Sequence, residues 1–344
     1  MNTSPIRSLA PLLGSIALLL PGALFADSIK AANTTALNAT GSWSNATVPN
    51  AANLAIWDST ITAANNSALG GDLSWLGIRV ANVGGAANST VLMTISNASS
   101  ANTLTLGAGG IDMSVATQAL AIQSKILLAA SQNWVIANAN TAASPNGLNN
   151  GEDLSFFAQA AGAAFNFGGN TVTTSGAGQV TVTSGYTMSN GTLNVGNNLF
   201  VIQGGSSRLT TLDSTLTVGV NAGGLLRLQS NSGALLSNAP INLNGGTLNF
   251  LANNATNAVT SNGVMNVLAP SAITITGGAN GPTIQNGNLT GSAALSITNT
   301  TADVARLLQL GGNNSGYTGT VTLGGTAGRA TRLINANAGS AAAT

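Results

Sequence analysis

The stretches "GTLNV", residues 191–195, and "GTLNF", residues 246–250, decide how the chain is read. In each, a glycine precedes a run whose apolar side chains stand two positions apart: Leu193 and Val195 in the first, Leu248 and Phe250 in the second. That spacing puts the apolar groups on one side of a β-strand and the Thr and Asn on the other. The same alternation recurs at residues 103–106, 215–218, 241–243, 273–275, 295–297 and 321–323. Gly, Asn or Ser clusters follow nearly every run, and many runs begin about one to two dozen residues after the last. A sandwich also strings short strands between turns. Strands this short, with one pattern returning in different surroundings, point instead to a solenoid.

The expected fold is therefore all-β, a parallel β-helix in which each coil stacks on the one below. Inward Leu, Ile and Val should form columns, and Asn or Thr should stack as hydrogen-bonded ladders at the turns. At about 22 residues per coil, the mature chain predicts about 14 coils. A rise of about 4.8 Å per coil then makes a rod about 70 Å long.

Composition agrees. Gly contributes 43 residues, and apolar residues make up 44% of the chain, enough to bury a core. Glu152 is the only Glu, and Lys30 and Lys125 are the only Lys, so strong helix formers are scarce. Charged residues are 5% of the chain, about a fifth of the ordinary globular share. No basic patch can form to hold nucleic acid or anionic lipid. There is no cysteine, hence no disulfide and no lipid-modified cysteine anchor.

Residues 1–26, "MNTSPIRSLAPLLGSIALLLPGALFA", carry one cation, Arg7, then an apolar run and a small-residue end. This is the pattern of a secretory signal peptide cleaved after Ala26. Pro11, Pro21 and Gly22 keep the apolar run shorter than the roughly 20 residues that span a bilayer. Residues 27–140 hold all four tryptophans, Trp43, Trp57, Trp75 and Trp134, and read as an N-terminal cap with the first coils. Residues 141–169 break the pattern and read as a loop excursion leading to a strand at Phe165. Residues 170–344 are the regular β-helix.

Without histidine or cysteine, Ser-His and Cys-His catalysis and imidazole or thiolate metal sites are impossible. The carboxylates Asp27, Asp58, Asp72, Asp112, Glu152, Asp153, Asp213 and Asp303 are scattered, and only Glu152 and Asp153 are adjacent. The most enzyme-like set is Asp213 with Arg208 and Arg227, which would have to share a face across neighbouring coils. A solvated surface pair is the plainer reading. "GAGGIDMS", residues 107–114, matches the calcium-binding repeat only partly and once. The residues assign no catalytic, cofactor or metal site.

Near the end, "LLQLGGNNSGYTGTVTLGG", residues 307–325, resembles the autotransporter-associated β-strand repeat of Gram-negative bacteria. Leu308, Leu310, Gly312, Asn314, Tyr317 and Gly319 stand at that family's positions, and Leu323 fills a place usually held by Val or Ile. "GSWSNATVPNAANLAIWDS" and "LTLGAGGIDMS" are similar to the start of such proteins. The resemblance implies a right-handed parallel β-helix passenger, displayed at the outer-membrane surface or released. Such proteins often end in a membrane β-barrel, and "GSAAAT" lacks that signature, so a fragment of a longer product is expected. The expected function is a non-catalytic extracellular stalk, adhesive or structural, contacting glycans or other cell surfaces. The alternatives are a β-helix polysaccharide lyase or hydrolase, and a secreted glycan-binding module using an exposed tryptophan.

Overall fold

The computed structural model describes residues 26–81, 92–137, 152–183, 185–205, 208–231, 234–252, 258–276, 283–300, 307–325 and 330–333. They form an all-β parallel solenoid with three faces; the only helical turns among them are 3-10 turns at Thr40–Ser42 and Ala98–Ser100. One coil shows the plan. Gln179–Thr183 lies on face I, Tyr186–Ser189 on face II and Gly191–Val195 on face III, after which Leu199–Gly204 returns to face I one level up. The strands of successive levels pair in parallel on every face. Backbone N–H and C=O groups are thereby satisfied between levels rather than within one.

Face I is an eleven-stranded sheet. Faces II and III merge into one twenty-stranded sheet, because Leu73–Ala81 and Thr103–Val115 run unbroken round the corner between them. The eleven levels make about ten turns, fewer than the about 14 anticipated from a 22-residue repeat. Coils are longer than that period because corners absorb extra residues. Gln179 pairs with Leu199, twenty residues on, but Asn65 pairs with Met93, twenty-eight on. The step from Leu120 to Leu154 takes thirty-four. Ten rises of about 4.8 Å give a rod about 48 Å long, not about 70 Å.

The core is a set of columns. On face I, Met93, Leu120, Leu154, Val180, Phe200, Leu226, Leu248, Ile273 and Ile297 stack in register and are all buried. Each such side chain contributes roughly 1.5–3 kcal/mol on burial, so every added level lengthens the same apolar seam. Face II departs from the aliphatic expectation. Its inward column runs Met188, Leu212, Ser237, Ser261, Gln285 and Leu310, so three successive levels place buried polar side chains inside. Gln285 is held there by its Nε2, which donates to Gly263 O at 3.0 Å and Gly287 O at 3.1 Å.

Turn ladders form as expected. Asn262 Nδ2 donates to Asn238 Oδ1 and Asn286 Nδ2 to Asn262 Oδ1, each at 3.0 Å. Asn266 Nδ2 reaches Asn242 Oδ1 at 2.7 Å on face III. The first ladder brings successive corners close together. A Cβ on Gly287 would lie 1.8 Å from Gly263 O, so only glycine fits there.

The two "GTLN" stretches turn out not to be equivalent. Gly191–Val195 belongs to face III, whereas Thr247–Ala252 belongs to face I. Their likeness reflects a shared local task, a strand leaving a glycine corner with Leu inward. The expected excursion is shorter than anticipated: Glu152–Phe157 is a face I strand, while Ala163–Asn166, a face II strand, contains Phe165, where a strand was expected. Residues 141–151 of that excursion, and residues 1–25 of the leader, lie outside the described residues.

Candidate functional site

The polar side chains fall into four places. The first is the N-terminal cap. Trp43, Trp57 and Trp75 meet edge-on or tilted, with centroids 5.9–6.2 Å apart, and all are buried. Trp134 lies farther up and stacks on Phe156 at 5.1 Å. All four indoles fill the core, so none presents a ring face to a sugar. The same cap buries Lys30, whose Nζ donates to Ala31 O at 2.9 Å, Asn33 O at 2.7 Å and Asn33 Oδ1 at 3.0 Å. Three neutral oxygens match its three N–H donors. Burial pulls its pKa down to about 8.

The second place is the corner between faces II and III, where Asp213 ends the strand Thr210–Leu212. Its Oδ1 accepts the Thr215 amide at 2.9 Å and the Thr215 hydroxyl at 2.8 Å. Those two donors, the amide first, hold its carboxyl below the usual range. A carboxylate occupied in this way is a turn device.

The third place is the outer side of face I. Arg227, on the strand Leu225–Ser230, donates from Nε to Asn249 Oδ1 at 2.9 Å one level up. Asn249 is itself buried, its Nδ2 donating to Thr274 Oγ1 at 2.9 Å and Thr276 Oγ1 at 3.0 Å. Burial pulls the Arg227 pKa below its ordinary value, though a guanidinium stays charged at any physiological pH. Neighbouring outward residues Thr181 and Val201 are buried as well. Arg208 precedes the face II strand, and its Nη1 donates to Ala158 O at 2.6 Å. The three residues that would have formed an enzyme-like set therefore do not share a face: Asp213 sits at the corner opposite face I, across the core from Arg227.

Two further carboxylates are separate from these, and Asp303 lies outside the described residues. Asp153 Oδ2 accepts the Gln179 amide at 2.8 Å, and Asp112 pairs with Arg79 at 3.5 Å, a half-exposed ion pair on face III. Asp112 is the acid of the "GAGGIDMS" stretch, which lies in the strand Thr103–Val115 where it turns from face II to face III. Among the described residues no three acidic side chains converge.

The fourth place is residues 307–325. Leu308 and Leu310 are buried in face II, and Tyr317 bridges to Gly291 in place of a face III strand. Tyr317 Oη donates to Ala293 O at 2.6 Å, and Asn314 Oδ1 accepts the Leu289 amide at 2.6 Å. A Cβ on Gly319 would lie 2.2 Å from Ala293 O. Leu, Asn, Tyr and Gly here each serve the landing of one coil on the last.

Together these places define the class: a parallel β-solenoid with a sparsely charged, Thr- and Asn-rich exterior, a tryptophan-filled end, and Arg208 and Arg227 each anchored to a neutral oxygen. No family model, curated protein or solved structure matches the chain.

Proposed function

We propose that the chain is a non-catalytic extracellular rod, the passenger or stalk of a surface-displayed or secreted protein, exported by a signal peptide at residues 1–26. A right-handed winding and kinship with autotransporter-associated repeat proteins belong to this reading. The observation that carries it is the employment of the side chains most able to do chemistry: Asp213, Lys30 and Tyr317 are bonded into turns, cap and corner. Cleavage after Ala26 would leave Asp27 as the first residue, and its Oδ1 accepts the Leu54 amide at 2.9 Å, a contact that survives removal of residues 1–26.

The test is expression in a Gram-negative host, with N-terminal sequencing and protease shaving of intact cells. The reading expects a mature chain starting at Asp27 that external protease can reach. An uncleaved chain held in the cytoplasm contradicts it. The lyase reading would gain only if polysaccharide cleavage were found and were abolished by Asp213→Asn or Arg227→Gln.

A further inference from the structure

We propose that Arg227 is the centre of a binding site for the oxyanion of an acidic glycan, a carboxylate or sulfate ester, on the outer side of face I. This deepens the reading of the rod as a glycan-contacting surface and rests on it.

Three observations carry the inference. The Arg227 guanidinium is partly buried, yet its hydrogen bonding is a single contact from Nε to Asn249 Oδ1 at 2.9 Å. No carboxylate pairs with it; the ion pair among the described residues is Arg79 with Asp112. Taking a cation partly out of water without a counter-charge is costly, and the cost is recovered when an anion arrives. Secondly, the contact it does make fixes its orientation. Asn249 is buried and locked by Thr274 and Thr276, so the guanidinium is held at Nε while its two terminal amino groups remain available. Those two groups form the fork that matches the paired oxygens of a carboxylate or sulfate.

Thirdly, the row that contains Arg227 describes the rest of the ligand. Arg227, Asn249, Thr274 and Thr298 stand in register on successive levels. Asn249 is buried, so beyond Arg227 the row offers the hydroxyls of Thr274 and Thr298, about 10 and about 14 Å farther along the rod. A polymer rich in hydroxyls with an occasional negative charge fits this row. An apolar or aromatic ligand finds no partner in it.

The test compares retention of the whole protein by polygalacturonate, dextran sulfate and neutral dextran in affinity electrophoresis at low salt. Retention by the carboxylated or the sulfated polymer, and not by neutral dextran, is expected; which of the two retains it identifies the oxyanion. Arg227→Gln should weaken that retention at least about tenfold, the loss of one charge-assisted contact. Arg79→Gln, on face III, should leave it unchanged. Circular dichroism melts of both variants confirm that the fold persists. Equal retention of wild type and Arg227→Gln, or none by either acidic polymer, overturns the proposal. Neither of those results bears on whether the rod is exported and displayed, which the protease-shaving experiment reads separately.

Discussion

At the scale of single residues, the most informative group is Lys30. A cation buried in the cap with only neutral oxygens around it makes folding oppose protonation, and its pKa falls from 10.5 to about 8. Between those values the unfolded cap binds more protons than the folded one, so resistance to unfolding rises with pH. Above about pH 10 the sign reverses, because burial raises the pKa of Tyr186 and Tyr317 and the unfolded chain then ionises first. The urea midpoint reported by tryptophan fluorescence should therefore climb from about pH 7.5 to about pH 9.5, and Lys30→Met should flatten that climb. Nothing in the sequence marks Lys30 as buried. Its acceptors are mostly backbone oxygens, and the fold alone brings them together.

At the scale of the element, the unit is a strand with its corner, and here the sequence is both legible and misleading. Alternation at Val180 and Val182, or at Leu193 and Val195, correctly separates inward from outward side chains. The corners are harder to read. The stretches "LLSNAPINL", "VTSNGVMNV" and "TIQNGNLTG", starting at Leu235, Val259 and Thr283, are one corner repeated on three levels. That in-register period of twenty-four residues was available in the sequence. "GTLN" obscured it, because a strand leaving a glycine looks alike on any face. The polar inward column of Ser237, Ser261 and Gln285 escapes a hydrophobic-period reading altogether. Within the corner, Asn262 donates to Asn238 and accepts from Asn286. Asn262→Ala should cost about 1 kcal/mol, two exposed bonds at the low end of the net range, measured as a lowered denaturation midpoint.

At the scale of the whole molecule, stability is close to a sum of levels and the interfaces between them. The charge scarcity evident in the sequence now has a structural counterpart. Outward rows carry Thr and Asn that bond along the rod, as Asn242 and Asn266 do, and successive levels meet without like-charge repulsion. Arg227 departs from this pattern on face I, a residue notable in the sequence only as one of few cations. Its significance depends on Asn249, which comes from the next coil. Long-range stacking of this kind is what a linear reading of short runs leaves out.

The central claim, parallel coils in one register, is tested most directly by cysteine cross-linking, since the chain has no cysteine of its own. Thr211 and Leu236 face outward on face II and pair across adjacent levels, as Leu236 and Thr260 do. A spacing of about 4.8 Å lies within the reach of a disulfide, whereas two levels, about 9.6 Å, do not. Thr211→Cys with Leu236→Cys, and Leu236→Cys with Thr260→Cys, should oxidise to intramolecular disulfides, while Thr211→Cys with Thr260→Cys should not. Free thiols in both adjacent-level pairs, or efficient closure of the two-level pair, would contradict the solenoid.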